Sequence, residues 1–131
     1  VMFTCDPIAK KLDKFVVSSV YGVGEGLVSG VLNADSFWLD AQDGKLLQED
    51  IVPKEQMLKK GPAGHCATIP VEKALAEAPS LNHNNLKALF ELGKKLHQDY
   101  RRPQDIEWAI AEGKVWLLQT RPVTTIDQDL Q

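Results

Sequence analysis

The sequence predicts an α+β fold in which a mainly antiparallel sheet packs on helices. Short segments of alternating polar and apolar residues, separated by turn residues, indicate strands, and one long segment has helical periodicity. The chain has 131 residues, of which 44% are apolar and 25% are charged, as is typical of a soluble globular domain. We therefore expect residues 1–131 to form a single domain.

Four strands are predicted in the first half of the chain. Residues 1–4 and 15–21 have the apolar and β-branched composition of strands. Residues 36–41 alternate between polar and apolar side chains, and Asp43-Gly44 follows as a turn signal typical of a hairpin. Residues 45–51 then form the predicted return strand.

Helices are predicted in the second half. Residues 53–70 contain three prolines and two glycines, so we expect mostly loop before a short helix over 71–78. The clearest helix runs from Asn82, which can cap it, to Arg101, and Pro103 prevents it from continuing. One apolar stripe at helical spacing predicts its buried face: Leu86, Leu89, Phe90, Gly93, Leu96 and Tyr100.

The overall composition argues against several kinds of partner. The net charge is -3, so no basic field favours a nucleic acid or an anionic membrane. No apolar run approaches the roughly 20 residues of a membrane span. Cys5 and Cys66 lack metal or redox spacing, so we expect free thiols and a cytoplasmic protein. The chain starts inside an apolar segment without an initiator methionine, so we expect a fragment of a longer protein.

A second hairpin is predicted over residues 105–121. Side chains alternate between the two faces of a strand, so Asp105 and Glu107 share one face. On the returning strand, Gln119 and Arg121 share a face in the same way. The length of the turn decides whether these two pairs lie on the same side of the hairpin.

The turn is predicted to contain three residues, Ala111-Glu112-Gly113, with Gly113 left-handed. A two-residue loop would place Glu107 on the face of Leu118, among apolar residues, where an unpaired carboxylate costs several kcal/mol. The three-residue loop instead places both polar pairs on one face. It predicts an opposite, apolar face made of Ile106, Trp108, Ile110, Trp116 and Leu118.

The predicted polar face has the chemistry of a metal and phosphate site. Carboxylate and amide oxygens from Glu107 and Gln119 are hard ligands that suit magnesium. A neighbouring guanidinium, Arg121, suits the phosphates that magnesium accompanies. From these residues alone, a solvated hairpin face with cross-strand salt bridges is an equally good interpretation.

The hairpin sequence also resembles a known family. The segment Pro103-Gln104-Asp105-Ile106-Glu107-Trp108-Ala109, followed by Leu118-Gln119-Thr120-Arg121-Pro122, is similar to the end of the nucleotide-binding domain of the pyruvate phosphate dikinase and phosphoenolpyruvate synthase family. That domain has the ATP-grasp fold. The segments 1–7 and 21–30, and the pair Ile51 and Lys54, resemble further parts of the family in the same order. Arg101 departs from the family, which often has glycine there.

The resemblance implies roles for individual residues. Glu107 and Gln119 match magnesium ligands, Arg121 matches the catalytic arginine on the ATP phosphates, and Asp105 matches the first acid of the motif. Gly24 and Glu25 lie in a glycine-rich segment that would cover the phosphates, although Glu25 is equally well explained as a solvated loop acid.

The resemblance also implies a function and several missing parts. The chain would be the C-terminal part of an ATP-grasp domain that uses ATP and magnesium to phosphorylate a carrier histidine on another domain, for transfer to pyruvate. A rifampicin phosphotransferase, or a non-catalytic module with the same fold, is the alternative. The N-terminal ATP-grasp part and the phosphohistidine domain have no match in these residues, so we expect the 131-residue chain alone to be inactive.

Overall fold

The computed structural model describes residues 1–6, 11–21, 34–54, 56–60 and 66–123. These residues form eight strands and two helices. In chain order they are β1 (Met2–Phe3), β2 (Lys14–Ser19), β3 (Asp35–Asp40), β4 (Leu46–Asp50), β5 (Gln56–Lys60), β6 (Cys66–Pro70), α1 (Lys73–Glu77), α2 (His83–Tyr100), β7 (Gln104–Ala111) and β8 (Lys114–Pro122).

Six of the strands form one sheet in the order β4-β3-β2-β1-β7-β8. The short strand β1 pairs antiparallel with both β2 and β7, and β7 pairs antiparallel with β8. Strand β8 therefore lies at one edge of the sheet. This mainly antiparallel sheet with a long helix confirms the predicted α+β class.

The chain divides into two compact units. The first contains most of the six-stranded sheet and α2, and comprises Val1–Val17, Phe37–Glu49 and Asn82–Gln131. The second contains the β5-β6 hairpin and α1, and comprises Ser18–Ser36 and Asp50–Leu81.

The core of the first unit lies between α2 and the sheet. Leu86, Leu89, Phe90, Gly93 and Leu96 are the buried residues of α2, as the helical stripe predicts. Tyr100 was predicted with them, but its side chain is 58% exposed because the helix ends at this residue. The absence of a side chain at Gly93 allows the close approach, since an added Cβ would lie 2.9 Å from Met2 Cε and 3.1 Å from Phe15 Cε2.

Both ends of α2 agree with the sequence prediction. The Asn82 side chain accepts a hydrogen bond from the Asn85 backbone nitrogen at 2.8 Å, and the Asn85 side chain accepts one from the Asn82 nitrogen. This reciprocal capping satisfies two backbone donors of the first turn. At the other end, Arg101 has a left-handed backbone with φ 55°, a conformation in which glycine is unstrained. The glycine that the resembling family often has there fits this geometry.

The turn signals before residue 70 gave one correct and one wrong prediction. Strands β3 and β4 form the predicted hairpin, with Gly44 at φ +76° in its turn. Residues 53–70 were predicted to be mostly loop, yet β5 and β6 pair antiparallel from Gln56↔Pro70 to Lys60↔Cys66. The described prolines, Pro53 and Pro70, lie before the first strand and at the end of the second. They mark the ends of the hairpin and do not interrupt its ladder.

A buried ion pair lies in the second unit. The Lys54 ammonium contacts Asp35 Oδ1 at 2.8 Å, with the two side chains 1% and 0% exposed. The same carboxylate accepts hydrogen bonds from the backbone nitrogens of Val52 and Ser80 and from the Ser80 hydroxyl, at 2.7–3.0 Å. Burial acts to raise the pKa of Asp35, but the hydrogen bonds from Lys54, Ser80 and Val52 together outweigh it, so the pKa lies below its ordinary value.

No helix in the described part of the chain combines the length and the apolar character needed to cross a membrane.

Candidate functional site

The C-terminal hairpin carries the residues that the sequence singles out. In the half of the hairpin away from the turn, which we call its open half, Asp105 lies opposite Arg121 and Glu107 lies opposite Gln119. Directly opposed residues project their side chains from the same face of a sheet, with Cβ atoms about 5 Å apart. The prediction that these four residues share one face is therefore confirmed.

The turn that joins the strands differs from the prediction. Ala111 pairs with Lys114, which leaves a two-residue loop of Glu112 and Gly113. Both loop residues have positive φ, 53° and 76°, as in a type I′ turn. The predicted three-residue loop is wrong. Glutamate seldom adopts positive φ, so the residue types gave no signal for this turn.

A β-bulge supplies the change of register that the turn does not. Trp108 pairs with Leu117, whereas the preceding residue, Glu107, pairs with Gln119. Leu118 is therefore the extra residue of a bulge on β8. This single inserted residue reverses the alternation of faces along β8. Beyond the bulge, Gln119 and Arg121 therefore lie on the face of Glu107 and Asp105, as they would with a loop of three residues and no bulge.

The burial of β7 explains why the bulged register is favoured. Without the bulge, Gln119 would lie opposite Ile106 and Arg121 opposite Gln104, and both positions of β7 are 0–1% exposed. Burying an unpaired guanidinium or amide costs several kcal/mol. A bulge instead leaves one residue outside the ladder at the sheet edge, where water can satisfy its backbone groups.

The predicted apolar face is only partly correct. Ile106 is fully buried, and Trp108 and Ile110 are half-buried on the same side of β7. Trp116 and Leu118 are exposed by 56% and 64%. Because of the two-residue turn, Trp116 lies opposite Ala109 on the face of Glu107, and Leu118 is the bulge residue.

The polar face is accessible and carries negative charge at its centre. Asp105 and Glu107 are half-buried, while Gln119 and Arg121 are exposed. Strand β7 pairs with β8 along one edge and with β1 along its other edge, where Phe3 lies opposite Asp105.

A buried polar network lies on the opposite side of the same strands. Thr4 and Gln104 are 0% and 1% exposed. The Gln104 side chain accepts a hydrogen bond from the Thr120 hydroxyl at 2.8 Å, and the Gln104 nitrogen donates to the Thr4 hydroxyl at 2.8 Å. No sequence pattern indicates a role for Gln104 by itself, although its place in the alternation, on the face of Ile106, already predicts burial.

The network extends to α2 through a histidine. His97 Nδ1 lies 3.0 Å from Thr4 Oγ1. Since that oxygen already accepts from the Gln104 nitrogen, its own hydrogen is available to donate to a neutral His97 ring. Burial lowers the pKa of His97, and its contact with Thr4 offsets only part of this effect, so the pKa lies below the ordinary value.

This lowered pKa predicts a pH-dependent stability. The unfolded chain binds the His97 proton more readily than the folded chain, so the free energy of unfolding should fall as the pH drops below 6.5. We expect His97→Gln to reduce the change in the free energy of unfolding between about pH 7 and about pH 5, measured by urea denaturation. His83→Gln, at the exposed start of α2, is the control. Equal pH dependence in wild type and His97→Gln would contradict the prediction.

The structure does not describe the two remaining predicted site residues. Gly24 and Glu25 belong to a segment outside the described residues. Within the described part of the chain, no group of three or more histidine, cysteine, aspartate and glutamate side chains is arranged to hold a metal ion.

Comparison of the sequence with known protein families finds a matching family. The model of the family described as "Pyruvate phosphate dikinase, AMP/ATP-binding domain" matches residues 1–131. The chain belongs to this family and is therefore an ATP-binding domain of the dikinase type.

Individual relatives show the range of proteins that contain such a domain. The chain is 37% identical to the prodigiosin synthesizing transferase PigC of Serratia marcescens over 100% of its own length and 15% of the relative. It is 33% identical to a probable phosphoenolpyruvate synthase of Methanocaldococcus jannaschii, covering 96% of the chain and 11% of the relative. A rifampicin phosphotransferase of Bacillus subtilis is 30% identical, with 96% and 14% covered. The chain thus spans a small part of each of these relatives.

Proposed function

We propose that the chain is the magnesium- and ATP-binding part of a dikinase-type phosphotransferase, and that it forms the C-terminal portion of an ATP-grasp domain. The observation that carries the proposal is the polar hairpin face, where Glu107 opposes Gln119 and Asp105 opposes Arg121. Membership of a family of AMP/ATP-binding domains supports a nucleotide as the ligand of this face.

The residues of this face fit a magnesium ion that accompanies a nucleotide. Glu107 and Gln119 would supply one carboxylate and one amide oxygen, which are hard ligands that leave room for phosphate oxygens and water. A bound magnesium ion would neutralise charge on the phosphates. The accessible side of the sheet presents these side chains to solvent, where a phosphate chain can reach them.

Arg121 is proposed as the catalytic residue of the hairpin. Its guanidinium can donate two parallel hydrogen bonds to phosphate oxygens and would stabilise the negative charge of the group in transfer. Asp105, directly opposite, would orient that guanidinium at the edge of the site. The remaining proposed residues, Gly24 and Glu25, would cover the phosphates from the glycine-rich segment.

The proposed reaction needs parts that these residues do not provide. ATP would be cleaved to AMP, with one phosphoryl group passing to a carrier histidine on another domain and then to pyruvate, and the other passing to water or to inorganic phosphate. The isolated chain should therefore be inactive. The relatives include a probable phosphoenolpyruvate synthase, a rifampicin phosphotransferase and a prodigiosin synthesizing transferase, so we expect the final acceptor to differ within the family. We place the protein in the cytoplasm, where ATP is available.

Incubation of the full-length protein with ATP and magnesium tests this function. We expect AMP in solution and an acid-labile phosphate on the protein, and EDTA should prevent both. Adding pyruvate or rifampicin in parallel should discharge the phosphoprotein only for the correct acceptor. Release of ADP without a phosphoprotein would contradict the dikinase reaction, and a failure to bind ATP would favour the non-catalytic module.

A further inference from the structure

One buried glutamine joins the two strands of the candidate site. Gln104, the first residue of β7, is 1% exposed. Its Oε1 accepts from the Thr120 hydroxyl at 2.8 Å, and its Nε2 donates to the Arg102 carbonyl at 3.1 Å. Because both ends of the amide have partners inside the protein, its orientation is determined.

The backbone of the same glutamine is held from the other side. The Gln104 nitrogen donates to Thr4 Oγ1 at 2.8 Å, and the Thr4 nitrogen donates to the Gln104 carbonyl at 3.0 Å. Thr4 in turn contacts His97 of α2. A path of hydrogen bonds therefore runs from α2 through Thr4 and Gln104 to Thr120, which lies between Gln119 and Arg121.

The bond to Thr120 distinguishes two possible registers of β8. In the observed register Thr120 lies opposite Ile106, on the buried face that also holds Gln104. In a ladder without the Leu118 bulge, Thr120 would lie opposite Asp105 and project from the other face. The hydroxyl could then no longer reach Gln104, and the buried amide oxygen would lose its donor.

We infer that Gln104 is a positioning residue, which, through Thr120, sets the register that places Gln119 and Arg121 beside the two carboxylates. Among the described strands, β8 lies at the edge of the sheet and pairs with β7, so the contacts between these two strands contribute to its register. The consequence for ligand binding rests on the proposed function, whereas the control of register does not.

Isosteric variants of the full-length protein test the consequence for binding. Thr120→Val removes the hydroxyl and keeps the shape, and Gln104→Met removes the amide. Each should weaken magnesium-dependent ATP binding about tenfold, because a buried polar group loses its partner and the bulged register loses its advantage. Thr120→Ser keeps the hydroxyl and should bind as the wild type does. Binding is measured by calorimetry at several magnesium concentrations.

A cysteine cross-link measures the register directly. Glu107→Cys combined with Gln119→Cys should form a disulfide in the observed register, and Glu107→Cys combined with Leu118→Cys should form one in the regular register. Peptide mapping gives the disulfide yield of each double variant, and the ratio of the two yields is the cross-link ratio. We expect the first pair to give the higher yield, and added Thr120→Val to shift the ratio toward the second.

A matched core variant separates positioning from stability. Val17→Ala truncates a fully buried side chain of β2. It should lower the melting temperature while leaving magnesium-dependent ATP affinity unchanged. The inference is overturned if Thr120→Val leaves the cross-link ratio unchanged, or if Val17→Ala weakens ATP binding as much as Thr120→Val does. If the wild type binds no ATP, the proposed function fails, and the cross-link ratio still decides whether Gln104 sets the register.

Discussion

Glu107→Gln should reduce the rate of ATP-dependent phosphorylation of the full-length protein by at least about a hundredfold. The substitution keeps the size and shape of a side chain that lies opposite Gln119 on the polar face, and it removes only the charge. Two neutral amides in place of a carboxylate and an amide hold a divalent cation poorly, since magnesium selects charged oxygen ligands. The rate of phosphoprotein formation, followed over a range of magnesium concentrations, measures the effect.

A neighbouring glutamate provides the control for this experiment. Glu112 lies in the exposed turn of the same hairpin, away from the polar pairs. Glu112→Gln changes the net charge equally and should leave the rate unchanged. Excess magnesium should recover part of the activity of Glu107→Gln if the lost interaction is with the metal. A phosphorylation rate like that of the wild type in Glu107→Gln would remove this residue from the proposed site.

Lys54→Met is expected to lower the free energy of unfolding by about 3–5 kcal/mol, which is a large part of the stability of a small domain. The ammonium of Lys54 contacts the fully buried carboxylate of Asp35 and donates to the Val52 carbonyl at 2.7 Å. Removing the cation leaves a buried anion with hydrogen bonds but without a counter-charge. Urea denaturation followed by circular dichroism measures the difference from the wild type.

Further variants show whether the ion pair itself is responsible. Lys45→Met, near the exposed β3-β4 turn, should change stability by less than about 0.5 kcal/mol. Ser80→Ala removes one hydrogen bond to Asp35 and should cost about 1 kcal/mol. Combining Lys54→Met with Asp35→Asn should cost less than the sum of the single changes, because neither charge is then left alone. Strict additivity would contradict a direct interaction between the two side chains.

Features that depend on local pattern were predicted well from the sequence. Asn82 was predicted to cap α2, and the side chains of Asn82 and Asn85 form the cap. The apolar stripe of the helix was correct except at Tyr100, where the helix ends before the side chain can be covered. The β3-β4 hairpin followed from Asp43-Gly44. The β5-β6 hairpin was missed because the prolines and glycines of this region indicated a loop, and neither strand segment by itself shows that it pairs with the other.

The grouping of Asp105, Glu107, Gln119 and Arg121 was predicted correctly for a reason that proved wrong. The sequence identifies the chemistry of the four residues and the need to keep it out of the core. It does not show where the ladder changes register, because leucine is as common a residue in a regular strand position as at this bulge, and its identity therefore does not mark the bulge. The tertiary structure places the change at Leu118, since Gln104 and Ile106 are buried and their partners on β8 must be compatible with burial.

Lys54 illustrates the same division between sequence and structure. Its resemblance to a family pattern marks it in the sequence without a role, and its partner Asp35 lies 19 residues away on β3. The sequence by itself thus determined the class of fold, the long helix and the polar residues of the candidate hairpin, because these depend on periodicity and residue type over a few turns or strands. Only the tertiary structure decided the turn, the bulge, the Gln104 contacts and the buried ion pair, because each depends on which distant side chains are removed from water together.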